Sequence, residues 1–447
     1  MRLFIIFFCL ISTLSCWIFN QNNNFKYIVF LPLSLMIFSL LENICYFNLK
    51  KTYVYYIFYF QSVIRYCLVP IGVTLGDEVG NGKSTMNGGE AVFFMIIELL
   101  FIFFLFIYQN KKIKNNLISP KLIFLNRNIW LYIFVLVMFL IILSSGFFNK
   151  VNLIWNLSDY VEEVFVSGEE KEVGSLGGIL FIPFKIVLLL ILSSFILTRK
   201  LKKRFKILCL LLIMGLSSSF IVGVSRLSML LFILPFYLIL IKLFERNEKK
   251  IINLSLIAIL IPAILITSFN KFTKGDRIAT TEDIFNTASF NAYFSGVGNV
   301  AVGIDTFEDQ TNKDYTLFFL NDLFQNVPLL SKVTNNEYKS NSVFNKNIYG
   351  HSEWQTQIVP LCIAGLFHFN VFGIGIYSCF FLFLAFYFER KAKKEANLSY
   401  KYVFYSLMLT LALVFMLNVG SMVATFVRYL IFIYLPFFIS DKLNKLR

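Results

Sequence analysis

Four basic residues stand inside long apolar runs of this 447-residue chain: Arg65, Lys185, Arg226 and Arg428. A charge in a bilayer interior costs at least about 2.5–3.5 kcal/mol on insertion scales, so such residues normally face a carboxylate, a watery cavity or an anionic ligand. Guanidinium forks match phosphate oxygens geometrically, which makes an anion site the chemistry these residues suggest. Arg226 lies in "IVGVSRLSML", inside an apolar run from Ile207 to Ile241. That run is about 50 Å long as a helix, too long for one crossing. With Gly223 and Ser225 as turn residues, it is predicted to fold as a helical hairpin with Arg226 at its outward tip. Arg65 then lies about 20 Å up a helix that runs outward from Thr52, and Lys185 and Arg428 each lie about 10 Å below the outer ends of inward-running helices. All four cations are therefore expected in the outer half of the membrane. The alternatives are pairing of Arg65 with Glu98, or less well with Glu42, and snorkelling of Lys185 or Arg428 to the interface. Two intramembrane acids cannot neutralise four cations, so a positive surplus is expected.

Polar groups of an outer segment add to this set. "KFTKGDR" brings Lys274 and Arg277 just after one apolar run, and "YGHSEWQTQIVP" brings His351, Glu353 and Gln357 just before another. A neutral imidazole can accept a hydroxyl proton near pH 7, so His351 is the candidate general base; the alternative is an ordinary loop histidine. His368 follows Phe367 in an apolar stretch and reads as packed or interfacial. No His/Cys/Asp cluster has metal-ligand spacing and no phosphate-loop pattern occurs, so neither a metal nor another cofactor is expected. The seven cysteines all lie in apolar segments and read as small core residues rather than disulfides.

The elements that must position these groups follow from hydropathy. The chain is 57% hydrophobic and 15% charged, with a mean hydropathy of +0.71, which is the composition of an all-α polytopic membrane protein. About 12 transmembrane helices are predicted, near 3–19, 27–47, 52–75, 91–109, 129–147, 177–198, 207–223, 227–243, 251–268, 356–388, 400–419 and 420–440. The tenth is too long for one simple span and reads as an outer half-helix, Thr356 to His368, leading into a full helix, Val371 to Phe388. This plan puts the N and C termini in the cytoplasm. Charge tests it separately: the cytoplasmic ends and loops hold 26 of the 41 Lys/Arg and 5 of the 26 acids, and the outer loops hold 11 and 19. The net charge of +15 is thus a topology signal, and with no soluble basic domain it excludes a nucleic-acid partner. The first span lacks a small-x-small cleavage site and is expected to be a retained anchor.

Three regions result: 1–268 with nine spans, a large extracytoplasmic loop at 269–355, and 356–447 with the remaining spans. The halves show no internal repeat, which counts against a transporter of inverted repeats. Within the large loop, Thr287 to Ile304 and Tyr315 to Leu330 are too polar to span and long enough for helices on the membrane face. A long loop with internal structure is usually functional.

"GVSRLSMLLFILPF", "SFNAYFSGVGNVAVGID" and "EWQTQIVPLCIAGLFHFNVFGIGIYSCFFLF" together resemble the Wzy-type oligosaccharide repeat unit polymerases of bacterial O-antigen and capsular polysaccharides. The resemblance covers mainly Ser217 to Leu384, through a small residue and Arg at an outward turn, an N-x-Y-F-S-G-like segment and a Q-I-x-P stretch. It implies a GT-C-like polymerase/ligase architecture and a metal-independent glycosyltransferase in the bacterial cytoplasmic (inner) membrane. Such an enzyme joins repeat units carried on polyprenyl (undecaprenyl) diphosphate, with a chain-length regulator and a flippase as partners. Catalytic roles are then expected for Arg226, Arg277 and His351, and substrate binding for Arg65, Lys185, Arg428, Lys274 and Tyr293, with aromatics such as Tyr293, Phe294 and Trp354 stacking on sugars. The competing readings are an O-antigen ligase-like glycan transferase and a flippase or transporter of lipid-linked oligosaccharide.

Overall fold

The structure, a computed structural model, describes residues 2–20, 22–76, 87–113, 122–125, 129–153, 176–221, 226–272, 286–311, 313–327, 330–350 and 357–445. In chain order the first helices are α1 (Arg2–Phe19), α2 (Phe30–Leu40), α3 (Tyr53–Thr74) and α4 (Gly88–Lys112). There follow α5 (Ile129–Ser144), α6 (Leu176–Thr198), α7 (Lys203–Ser219), α8 (Arg226–Leu243) and α9 (Arg246–Phe272). The segment at 269–355, expected to lie outside, contributes α10 (Thr287–Tyr293), α11 (Val297–Glu308), α12 (Tyr315–Phe324) and α13 (Ser340–Tyr349). The chain closes with α14 (Leu361–Phe369), α15 (Ile376–Lys394), α16 (Leu398–Ala412) and α17 (Val419–Asn444). Extended pairing among the described residues is limited to a two-residue antiparallel match of Asn152–Leu153 with Phe220–Ile221 and a bridge between Ile123 and Asn397.

The protein is an all-helical, multi-pass membrane protein. Seven described helices are long and apolar enough to cross a bilayer, and an eighth results if Leu361–Gly373 and Ile376–Lys394, bent by 109°, count as one span. Three of the other four expected spans coincide with shorter helices, of 16 residues in α5, 17 in α7 and 15 in α16, and the fourth with α8, whose shorter apolar part is Met229–Leu243. At 1.5 Å per residue, fifteen residues reach about 22 Å against a hydrocarbon core of about 30 Å.

Packing divides the chain into two compact units that do not follow sequence order. The first comprises Met1–Asn116, Phe285–Glu389 and Met408–Thr425, and the second Leu117–Ile284, Arg390–Leu407 and Phe426–Arg447. The described helices of the outer segment therefore belong to the same unit as α1 to α4. Here α11 differs from the expected membrane-face helix: nine of its twelve residues, from Val297 to Ile304 and Thr306, are buried, because it packs against α4, α13 and α14. Its neighbour α12 is two-faced, with Phe318, Asn321 and Asp322 buried and Leu317 and Leu320 exposed.

Local chemistry explains several boundaries. Thr52 caps α3 by accepting from the Tyr55 amide, and the Glu389 carboxylate accepts the Tyr53 and Val54 amides at 2.9 and 3.1 Å, an anion at a helix N-terminus. Pro70 has no amide to give the preceding turn, and α3 widens just before it into a π-helical turn at Ile64–Leu68 that contains Arg65. The half-helix expected from Thr356 starts at Leu361 instead, because a residue before proline is driven out of the α region and Pro360 takes the cap position in extended backbone.

Candidate functional site

Arg65 sits in the π turn of α3 with no solvent exposure. Its Nη1 lies 2.8 Å from Glu98 Oε2 on α4, and Ser378 on α15 donates its hydroxyl to the other carboxylate oxygen. The remaining face of the guanidinium is also engaged: Nε donates to the Ser295 carbonyl at 2.9 Å, Cys362 Sγ lies 3.9 Å from Nη2, and the Phe415 ring centroid is 4.1 Å from the guanidinium carbon. A charge pair this deeply buried is tolerated because the opposite charges meet at 2.8 Å and each group also has a hydrogen bond elsewhere, at Arg65 Nε and at the other Glu98 oxygen. Arg65 thus has a hydrogen bond at Nε, while Nη1 and Glu98 Oε2 meet as an ion contact without hydrogen-bond geometry, and Glu42 takes its own hydrogen bond from the Tyr55 hydroxyl at 2.8 Å.

The motif residues of the outer segment form the polar lattice above this pair. Ser295 adopts a positive φ of 48°. Asn291 accepts the Gly296 amide on its carbonyl at 2.9 Å and the Gly298 amide on its side chain at 3.0 Å, so it caps the start of α11 in the manner of an Asx cap. Its side-chain nitrogen donates to Asn299 Oδ1 at 3.0 Å, and Asn299 in turn donates to the Ile358 carbonyl at 3.4 Å. Gln357 donates its amide to Asn345 Oδ1 at 3.0 Å and its side chain to the Tyr349 hydroxyl at 3.1 Å. The N-x-Y-F-S-G-like and Q-I-x-P stretches, about 60 residues apart in sequence, are in this way joined side by side. Tyr293 ends α10 half-buried.

A second buried cluster in the same unit was not legible from composition. His368 on α14 lies 2.8 Å from Asp322 Oδ2 through Nε2 and 2.6 Å from the Tyr377 hydroxyl through Nδ1. With Nε2–H donating to the carboxylate, Nδ1 is left to accept from the phenol. Asp322 also accepts the Ser340 amide at 3.0 Å, the Ser340 hydroxyl and the Gln325 side chain at 3.3 Å. Nearby, burial lowers the Lys339 pKa below the usual lysine range, and the Asp322 charge acts against that shift. At the far end of α11, burial raises the Asp305 carboxyl above its ordinary range against hydrogen bonds from Asn87. The signal that was available for the histidine cluster is Asp322 itself, one carboxylate in the apolar stretch "YTLFFLNDLFQNVPLL".

The second unit holds two of the other intramembrane cations. Lys185 on α6 donates to the Phe220 carbonyl at the end of α7, and its ammonium lies 5.4 Å from the Phe181 ring centroid and 4.8 Å from that of Phe232 on α8. It therefore stands at the end of α7, and α8 begins at Arg226. The side chain of Arg226 is outside the described residues. Phe232 is further tied by its carbonyl to the Tyr402 hydroxyl of α16 at 2.9 Å. Arg428 is half-buried on α17, and its Nε has no hydrogen-bond partner among the described residues. The π turn Leu430–Tyr434, which follows Arg428, packs on α6. Among the described residues no carboxylate pairs with Lys185 or Arg428. The recorded ion pair of this unit, Lys203 with Glu245 at 2.7 Å, is exposed and joins the opposite ends of α7 and α8.

The sequence-predicted site residues are therefore divided: Arg65 and Tyr293 belong to the first unit, Lys185 and Arg428 to the second. His351, Arg277, Lys274, Glu353 and Trp354 lie outside the described residues. Among the described residues no group of three or more His, Cys, Asp or Glu side chains is arranged to hold a metal ion. Comparison with protein-family models, with curated proteins and with solved structures finds no match for this chain.

Proposed function

We propose that the protein is a metal-independent glycosyltransferase, a polysaccharide polymerase that joins polyprenyl-diphosphate-linked oligosaccharide repeat units at the outer face of the bacterial cytoplasmic membrane. The architecture that goes with this reading is GT-C-like, with twelve spans and both termini in the cytoplasm. The observation that carries it is the cation set of the second unit. Lys185 of α6 is held by the Phe220 carbonyl at the end of α7, and Arg428 lies beside the π turn that packs on α6, both without a carboxylate among the described residues. Lysine and arginine kept at membrane depth without a carboxylate suit an anionic ligand, and a diphosphate brings both the charge and the acceptor oxygens.

In the reaction, an acceptor sugar hydroxyl oxygen forms a bond to the anomeric carbon of the donor glycan. The bond from that carbon to the diphosphate oxygen breaks, and the polyprenyl diphosphate leaves with the electron pair. Negative charge grows on the leaving group, so cations held ready for it stabilise the transition state more than the ground state. Lys185, Arg226, Arg277, Lys274 and Arg428 are assigned to that role, and His351 takes the hydroxyl proton. Tyr293 is assigned to a sugar face.

Cells lacking the protein are expected to carry surface glycan capped with single repeat units, and the purified protein in lipid nanodiscs is expected to extend lipid-linked units in the presence of a metal chelator. Long chains in the deletion strain would overturn the reading. Lipid-linked units accumulating on the cytoplasmic face would identify a flippase instead.

A further inference from the structure

The polar lattice of the first unit begins at the buried ion pair between α3 and α4 and ends at the stretch that leads into α14. At its root, the Arg65 guanidinium meets Glu98 through Nη1 and the Ser295 carbonyl through Nε. Ser295 holds a φ of 48°, a region that non-glycine residues seldom adopt and that persists only where the surroundings over-determine it. Two contacts do so here: Arg65 holds the Ser295 carbonyl, and the Asn291 carbonyl holds the next amide, that of Gly296. From Asn291 the lattice runs through the cap of α11 to Asn299, then to the Ile358 carbonyl, and on through Gln357 to Asn345 and Tyr349. Ser295, Asn291, Asn299 and Asn345 are all buried, so water offers no substitute partner for them.

We propose that Arg65 is a positioning residue: through the Ser295 carbonyl it fixes the turn into α11 and, through that helix, the Gln357–Pro360 stretch. Its effect on transfer rests on the polymerase reading, whereas its effect on backbone order does not. The fork is essential to this role. A lysine at position 65 keeps a positive charge opposite Glu98, but its ammonium is a point charge that cannot meet Glu98 and also direct a donor at the Ser295 carbonyl from one planar group.

The test is amide hydrogen exchange on the full-length protein in nanodiscs, combined with the reconstituted transfer assay. In Arg65→Lys, exchange at the Gly296, Gly298 and Gln357 amides is expected to rise about tenfold or more, as for the loss of one buried hydrogen bond, while α1 and α2 exchange as before. The kcat is expected to fall about 10- to 100-fold with little change in KM, as for misplacement of a catalytic segment. Arg65→Met with Glu98→Gln removes both charges together and avoids an unpaired buried ion; it is expected to give the same local rise in exchange should the lysine variant fail to fold. Unchanged exchange at these three amides in a folded variant would overturn the proposal, and so would raised exchange with an unchanged kcat. Absence of transfer by the unaltered protein would sink the polymerase reading alone, and exchange would still decide whether Arg65 orders the segment.

Discussion

Asp322 ties four helices together with one carboxylate: α12 carries it, α13 supplies the Ser340 amide and hydroxyl, α14 supplies His368, and Tyr377 of α15 meets the other ring nitrogen. Each of its oxygens accepts, and neither donates. Asp322→Asn keeps the shape but places an NH2 where an acceptor is needed, so it is expected to cost about 1–3 kcal/mol through an unsatisfied buried group. Denaturant titration of the detergent-solubilised protein checks this, and an unchanged midpoint would mean that the cluster bears little load. Arg65 is a parallel case. Its depth and charge suggested a ligand, yet its partners are Glu98 and a main-chain carbonyl, because a carboxylate on the adjacent span removes the need for any other anion. Lys185 and Arg428 have no such neighbour among the described residues, and the case for an anion rests with them.

The sharp turn between α14 and α15 follows from two glycines. A Cβ on Gly365 would lie 2.0 Å from the Gly373 carbonyl oxygen, and one on Gly373 would lie 2.0 Å from that of Gly365. The half-helix and the 3-10 turn at Asn370–Gly373 can therefore touch backbone to backbone only without side chains at these positions. Asn370, at φ 57°, reverses the chain between them. Gly365→Ala is expected to open the bend and cost about 1–3 kcal/mol, as for overpacking elsewhere. It should also loosen the His368–Tyr377 hydrogen bond, since both residues flank the bend. Thermal unfolding with Gly365→Ala and with Gly215→Ala as a comparison would show this, because a Cβ on Gly215 meets only the tip of Ile259 at 3.9 Å. Equal midpoints for the two variants would remove the glycine contact as the cause of the bend. A third glycine, Gly72 on α3, lets Thr287 of α10 approach within 1.9 Å of where a Cβ would be, which seats α10 directly on α3.

For the molecule as a whole, the distribution of lysine and arginine makes a statement about sidedness that labelling can check. Single cysteines at Asn247, beside the basic start of α9, and at Val333, in the outer segment, are expected to react with a membrane-impermeant thiol reagent from opposite sides. In intact cells only the Val333 position should label, and labelling of both from one side would break the twelve-span plan. Helix existence, the division of the Ile207–Ile241 run into two helices, α7 and α8, and a short helix before α15 were readable in the sequence, although that short helix begins at Leu361 rather than Thr356. Water-to-lipid transfer acts on the summed hydropathy of about 20 consecutive residues, and cation retention acts on whole loops, so both leave their mark in local composition. Partner choice was readable only in part: the sequence offered Glu98 and Glu42 to Arg65 without deciding between either of them and a ligand, and it offered nothing for His368 or for the Arg65 Nε. Glu98 answers Arg65, Asp322 answers His368 from 46 residues away, and the strained Ser295 carbonyl comes from 230 residues beyond Arg65. These contacts depend on the angular phase of each helix and on the depth at which two helices cross, and no local composition records either. Hydropathy was enough to say that the chain is helical and multi-pass; only packing decided which buried charges have a carboxylate partner among the described residues and which do not.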